Sequence, residues 1–142
     1  MKSLISFHYQ TPSRLPKDKV KLKSFIVSIF EKEKTRLSSI LFVFCTDEYL
    51  HAMNKLHLNH DDYTDVITFF YSSPGEPVES EAYISLDRVR DNATQFKSTI
   101  THELHRVIFH SVLHLCGYND KKPGEKSEMR DREDHYLKLY FD

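Results

Sequence analysis

Ser39-Ile-Leu-Phe-Val-Phe-Cys45 is a nearly unbroken apolar run with the length of a β-strand. A strand with one solvated face alternates apolar and polar residues, whereas a strand buried on both faces is continuously apolar. Residues 39–45 therefore predict a strand in the interior of the fold. Thr46 or Asp47, directly after this run, is the candidate N-cap of a helix that extends to about Leu58.

The flanking segments add further strands and another helix. A short strand begins at Leu4, and residues 17–36 carry apolar side chains at helical spacing. Residues 64–71 (Thr-Asp-Val-Ile-Thr-Phe-Phe-Tyr) are rich in β-branched and aromatic side chains, which predicts a strand, and a further strand follows at residues 81–86. The strong turn signal at residues 72–77 favours an antiparallel hairpin between these two strands.

The C-terminal half is predicted to be mainly helical. Asp87 is the expected cap of one helix, and Thr99 or Thr101 begins the next, which runs to about Cys116 and ends at Gly117. A last helix has an apolar stripe of Met129, Tyr136, Leu137 and Tyr140. The order β-α-β-α-β-β-α-α-α predicts one domain over residues 1–142, of the α/β (α+β) class, with a mixed four-stranded sheet and about five helices.

Composition narrows the class of protein. The chain has 142 residues, of which 39% are hydrophobic and 13% aromatic, so it can bury a core and is not a disordered segment. Its net charge of -1 gives no overall basic signature, so a nucleic-acid partner requires a local basic patch. Polar residues occur too early for a secretory signal, and no apolar run approaches membrane-spanning length. We therefore expect a cytoplasmic protein without a membrane partner.

The two cysteines are expected to be buried thiols. Cys45 and Cys116 both lie in apolar surroundings, where cysteine more often packs as a small hydrophobic side chain than forms a disulfide.

His110 and His114 form the most informative pair of residues. They are four residues apart on a predicted helix, so both imidazoles project from one face. The helix stops at Gly117, and the chain can then turn back to place Asp120 beside them. Two helical histidines with a third ligand after a turn are typical of a catalytic zinc site at the end of a helix, with the fourth position open to water. His135 is the alternative third ligand.

The rest of this helix indicates a polar cleft. The core stripe is supplied by Ile100, Leu104, Val107, Ile108, Val112 and Leu115. Glu103 and Arg106 share the other face with the two histidines, and Glu103 is a candidate to orient His110. The remaining helix histidines, His102 and His105, are expected to pack or face solvent. The zinc-protease pattern His-Glu-x-x-His does not occur, so a metallopeptidase is the least favoured function.

Four stretches of this sequence resemble parts of a known family. His110-Ser-Val-Leu-His-Leu-Cys-Gly-Tyr-Asn-Asp120 resembles the signature His-Gly-x-Leu-His-Leu-x-Gly-Tyr-Asp-His of the bacterial YbeY family. Tyr63-Thr-Asp-Val-Ile-Thr-Phe69 resembles its Pro-Thr-Asp-Val-Leu-Ser-Phe block. Asn54 and the stretch Tyr83–Ser85 fit two further family elements, in the same order along the chain.

The resemblance implies an activity, a cofactor and partners. YbeY proteins are zinc-dependent, single-strand-specific endoribonucleases that act in 16S rRNA maturation and ribosome quality control. The expected cofactor is therefore one Zn²⁺ per chain, held by His110, His114 and Asp120. The expected partners are single-stranded RNA, including ribosomal RNA, and the ribosome or its small subunit, whereas DNA is not expected.

The chain departs from the family pattern at the positions that matter for catalysis. Asp120 replaces the third histidine ligand, and Leu58 occupies the position of a family arginine. A carboxylate is a legitimate zinc ligand, and Arg106 is the candidate catalytic cation in place of the missing arginine. The signature glycine is Ser111 here, a small-for-small change. A ribosome assembly factor with a structural zinc ion and little or no cleavage activity is therefore the alternative hypothesis.

A basic segment beside the metal loop is a candidate RNA contact. It contains Lys121, Lys122, Lys126 and Arg130. Acidic residues are interleaved with these cations, so a mixed solvated surface is the competing interpretation.

Overall fold

A mixed sheet with a buried central strand organises the fold. The computed structural model describes residues 4–58 and 64–142, and within them the strands are β1 (Ile5–Tyr9), β2 (Leu37–Cys45), β3 (Val66–Phe70) and β4 (Val78–Ser85). Their order in the sheet is β1-β2-β4-β3. β2 is parallel to both of its neighbours, whereas β3 and β4 form the predicted antiparallel hairpin.

Five helices accompany the sheet in the described part of the chain. They are α1 (Lys19–Lys32), α2 (Asp47–Leu58), α3 (Leu86–Gln95), α4 (Ile100–Leu115) and α5 (Pro123–Phe141). The order of elements is the predicted one, and the α/β class with a mixed four-stranded sheet is confirmed. In the described residues, no helix is both long and apolar enough to cross a bilayer.

The core lies between β2 and α4. Phe42 and Phe44 of β2 are fully buried, as the continuous apolar run predicts. Leu104, Ile108 and Val112 of α4 are also fully buried in the same cluster. Burying each such side chain contributes about 1.5–3 kcal/mol. Because α4 is packed centrally along one face, its opposite, polar face is held in a fixed orientation.

Three local predictions need correction. Asp87 does not cap α3: β4 runs straight into this helix, so the hydroxyl of Ser85 accepts from Arg88 N at 3.0 Å. Asp87 Oδ2 instead accepts a hydrogen bond from Asp47 N at 2.8 Å. Ile100 is 38% exposed rather than core, because it is the first residue of α4. The first helix is shorter than residues 17–36, because the side chain of Asp18 caps its start.

Cys45 and Cys116 are both free thiols, as predicted. Burial raises the pKa of each thiol to about 12, so both are neutral side chains at physiological pH.

Candidate metal centre

Helix α4 presents His110 and His114 side by side. Thr99 caps the helix by accepting from His102 N, and the ring centroids of the two histidines lie 4.6 Å apart. Both side chains are about one-quarter exposed, with solvent-accessible fractions of 23% and 28%. The buried apolar face of α4 thus leaves these imidazoles at the edge of the core.

The chain turns back sharply after α4. Gly117 has φ 103°, a left-handed conformation that strains any residue with a Cβ atom. The N–H groups of Gly117 and Tyr118 donate to the carbonyls of His114 and Leu113 at 3.0 Å each, which completes the helix end. This turn returns Asp120 to the histidines: its Oδ2 lies 3.3 Å from His110 Nε2 and 3.4 Å from His114 Nε2.

Hydrogen bonds at the opposite ring nitrogens define the protonation of both imidazoles. His114 Nδ1 lies 2.9 Å from the carbonyl of Tyr118, which only accepts, so this nitrogen carries the proton. His110 Nδ1 lies 2.5 Å from Glu133 Oε2, so it donates to that carboxylate. In the neutral rings, both Nε2 lone pairs therefore point towards the acceptor oxygen of Asp120. Three such acceptor atoms facing one another form a group that could hold a metal cation.

The donor set and its spacing fit zinc. The three ligand atoms lie within 4.8 Å of one another. Two ligands bound at about 2.0–2.1 Å in a tetrahedral site lie roughly 3.3–3.4 Å apart, which agrees with the two nitrogen–oxygen distances. His135 does not join this group: its side chain is exposed and its ring packs on Tyr136 with centroids 4.9 Å apart. The geometry favours Asp120 over His135 as the third ligand.

Glu133, and not Glu103 as we predicted, is the carboxylate that orients His110. Its Oε2 accepts from His110 Nδ1, and its Oε1 binds Arg106 Nη1 at 3.0 Å. Burial disfavours the charged form of His110, but the hydrogen bond and charge of Glu133, with smaller contributions from Asp65 and Asp120, raise its pKa. Assigning the orienting role to Glu103 was wrong, since α5 supplies the carboxylate from across the cleft. The sequence did contain a signal for this role, because Glu133 lies within the apolar stripe of the last helix, where a carboxylate needs a buried partner.

A cleft beside the metal centre contains Arg106. The α4–α5 cleft has a volume of about 400 Å³ and is lined by Asp65, Asn92, Phe96, Glu103, Arg106, Val107, His110, Asp120, Lys126, Met129, Arg130 and Glu133. Arg106 is only 12% exposed, and its Nη2 binds Asp134 Oδ1 at 2.7 Å. Burial raises the pKa of Asp65 and of Glu103, which shifts both carboxyls towards their neutral forms. The predicted polar cleft is therefore present, with Arg106 in its wall.

Glu33 ties the metal loop to two helices. Its carboxylate accepts from the Tyr118 hydroxyl at 2.8 Å, from Arg132 Nη2 at 2.9 Å and from the Tyr136 hydroxyl. Burial opposes ionisation of Glu33, but these three donors outweigh it and lower its pKa. The Tyr118 carbonyl receives the hydrogen bond of His114, so this network fixes the loop that positions a ligand. Nothing in the local sequence around Glu33 indicates this contact.

Comparison with known proteins assigns the family. The family described as Endoribonuclease YbeY matches residues 8–140. This chain belongs to the YbeY family. Proteins named Endoribonuclease YbeY are 44% identical over 123 residues in Cytophaga hutchinsonii (87% of this chain, 86% of the relative) and 40% identical over 137 residues in Flavobacterium psychrophilum (96% of each). The solution structure of TM1509 from Thermotoga maritima shares the fold, with a TM-score of 0.67 and 24% identity over 95% of this chain and 89% of that chain.

Family membership confirms the predicted resemblance, and the structure locates the blocks that carried it. Asn54 is 4% exposed in α2, and Tyr83–Ser85 ends β4. Leu58 is the last residue of α2, and Tyr63 lies outside the described residues. Of the predicted basic contacts, Lys126 and Arg130 line the α4–α5 cleft, whereas Lys121 and Lys122 are exposed outside its lining.

Proposed function

We propose that this chain is a zinc-dependent endoribonuclease specific for single-stranded RNA, and that one domain of residues 1–142 carries the activity. One observation supports it most strongly: in a member of the YbeY family, His110, His114 and Asp120 converge beside a cleft that contains a buried arginine. The relatives' name, Endoribonuclease YbeY, supplies the reaction class, hydrolysis of an RNA phosphodiester.

Four residues have proposed roles in holding the metal ion. His110 and His114 hold the ion through Nε2, and Asp120 adds a carboxylate that offsets one of its charges. When bound, zinc supplies Lewis-acid chemistry, which activates water at neutral pH and polarises a phosphoryl oxygen. Glu133 keeps the proton of His110 on Nδ1, so that Nε2 is free to bind metal.

Arg106 is the proposed catalytic cation. Its guanidinium is fixed by Glu133 and Asp134, each of which takes one Nη group. A guanidinium has five N–H donors, so these two contacts leave others for a phosphate oxygen. We propose that Arg106 replaces the family arginine whose position is Leu58.

The family further supports a cellular role in 16S rRNA maturation and ribosome quality control. We propose ribosomal RNA and the small ribosomal subunit as partners, and the cytoplasm as the location. Zinc is the proposed ion, although the carboxylate of Asp120 is a harder ligand than histidine and favours tolerance of manganese.

A second candidate is a ribosome assembly factor whose zinc is structural. Two observations favour it: Asp120 in place of a histidine ligand, and Leu58 in place of the family arginine. Such a protein retains the metal and its fold but does not hydrolyse RNA.

Metal content and RNA cleavage, measured on the same preparation, separate the two candidates. We expect about one zinc per chain, cleavage of single-stranded RNA that stops with a chelator and returns with added zinc, and no cleavage by His114→Ala. Cleavage that persists in chelator or in His114→Ala would contradict the zinc-dependent hydrolase. Full zinc occupancy without cleavage would contradict the endoribonuclease and favour the assembly factor.

A further inference from the structure

The metal centre lies where two grooves meet. His110 and Asp120 line the α4–α5 cleft, whereas His114 lines a second groove of about 590 Å³. We call the second one the hairpin groove, because the β3–β4 connection forms one of its walls, with Ser72, Ser73, Pro74 and Gly75. Because the three ligand atoms lie within 4.8 Å of one another, the two grooves border the same site through different ligands.

Each groove exposes one phenylalanine. Phe96 in the α4–α5 cleft is 60% exposed, and Phe70 in the hairpin groove is 57% exposed. A single exposed aromatic side chain is ordinary on a protein surface. Two of them in two grooves that flank one metal centre are a more specific arrangement.

Both phenylalanines lie on hydrogen-bonded backbone. Phe96 is the C-cap of α3, and its N–H donates to the carbonyl of Asn92 at 2.9 Å. Ser98 N donates to the carbonyl of Ala93 at 2.8 Å. Phe70 is the last residue of β3 and is paired with Ser80 of β4. An ordered backbone fixes the position from which each ring extends into its groove, so binding does not have to order these segments.

Each groove also contains cations beside its phenylalanine. Lys126 and Arg130 line the α4–α5 cleft, and Lys34 and Arg36 line the hairpin groove. Arg36 is oriented by a hydrogen bond of 2.5 Å from Nη2 to the carbonyl of Gly75. In the hairpin groove these two cations face one lining carboxylate, that of Glu76. Aromatic faces next to cations are the features by which proteins hold the bases and backbone of a single strand.

We propose that the two grooves form one track for single-stranded RNA, in which Phe96 stacks an unpaired base in one groove and Phe70 stacks another in the second groove. The proposal rests on RNA being the substrate. It adds the residues that select single strands, because a base paired in a duplex cannot expose its face to either ring. The phosphate between the two stacked segments then lies at the metal ligands.

Binding of two matched oligonucleotides tests the track. One is a cleavage-resistant 2′-O-methyl RNA of about 10 nucleotides, a length within the range of known single-strand sites. The other has the same backbone without bases. We expect the zinc-loaded protein to bind the first more tightly by about 5- to 150-fold for each stacked base, the range that measured stacking corresponds to.

Substitutions of Phe96 and Phe70 test whether these two rings cause the tighter binding of RNA that carries bases. Phe96→Ala and Phe70→Ala should each reduce the preference for bases, and the Leu variants should resemble Ala because they keep apolar volume but no flat face. The Trp variants should retain it. Phe141→Ala is the matched control, since Phe141 is 45% exposed but lines neither groove. Equal zinc content and thermal midpoint in all variants show that the metal centre and fold are intact.

The possible outcomes distinguish a failure of the track proposal from a failure of the proposed endoribonuclease activity. Wild-type preference in both Ala variants, or in one of them, would overturn the two-groove track, and cleavage of RNA by the same protein would leave the endoribonuclease standing. A preference that depends on both rings in a protein without cleavage would support the track and reject the nuclease. Absence of any preference for bases in the wild type would overturn the track as well.

Discussion

Nδ1 of His110 lies 2.5 Å from Oε2 of Glu133, and this contact joins the metal site on α4 to helix α5. The other oxygen of the same carboxylate binds Arg106 at 3.0 Å. Glu133 is 4% exposed, so both bonds form away from bulk water, where charged hydrogen bonds are strongest. One buried carboxylate therefore orients a metal ligand and the proposed catalytic cation together.

Replacing Glu133 should weaken metal binding without removing a ligand. Glu133→Gln keeps the shape but loses the charge that favours a proton on His110 Nδ1, and we expect zinc affinity to fall about 10- to 100-fold. Competition with a chromophoric chelator measures this. Asp134→Asn is the control, because it removes a partner of Arg106 but not of His110. Equal zinc affinity in Glu133→Gln and wild type would show that the contact does not support the metal.

Three substitutions test the assignment of Asp120 as the third ligand. Asp120→Ala should lose zinc, because it removes one of three converging ligand atoms. His135→Ala should keep it, because His135 is exposed and packs on Tyr136. Asp120→His should restore binding with the family's usual ligand type. Zinc content after dialysis is the measurement, and the reverse pattern for Asp120 and His135 would show that the assignment is wrong.

Glu33 should make the free energy of unfolding depend on pH in the acid range. Its folded pKa lies below the ordinary value of 4.5, so its ionised form stabilises the fold above that pH. The contribution is lost as pH falls through the lowered folded pKa. We expect Glu33→Gln to cost about 1–3 kcal/mol near neutral pH and progressively less in acid. Urea unfolding of the metal-free protein across this range measures the difference.

Tyr118→Phe serves as the control for this prediction. It removes one of the three donors to Glu33 and leaves the carboxylate in place. Its destabilisation should be smaller than that of Glu33→Gln, and the acid dependence should persist. A constant difference between Glu33→Gln and wild type at every pH would contradict the lowered pKa.

The buried side chain of Phe109, in the core behind the site, should contribute strongly to the free energy of unfolding. Phe109 is fully buried on α4 and contacts the rings of Phe25 and Tyr140. Phe109→Ala should lower the free energy of unfolding by about 3–5 kcal/mol. Val20→Ala, at a residue that is 79% exposed, should change it by less than about 0.5 kcal/mol. Chemical denaturation measures both, and similar values for the two variants would contradict the burial of Phe109.

Patterns within single elements predicted most of the fold. The apolar run of residues 39–45 became the buried centre of β2, and the turn at residues 72–77 joined an antiparallel hairpin. These predictions succeed because strand burial and tight turns depend on neighbouring residues. The cap of α3 was misplaced at Asp87 because the absence of a loop after β4 is not visible in a propensity pattern.

The sequence by itself determined the candidate ligand pair and the turn that returns Asp120 to it. His110 and His114 share a helical face through the helix period, and only glycine adopts the φ of Gly117 without strain. The tertiary structure alone decided that Glu133 rather than Glu103 orients His110, that Glu33 holds the metal loop, and that two grooves meet at the site. Those contacts join residues far apart in the chain. They depend on how α5 and the hairpin pack around α4, which local spacing does not encode.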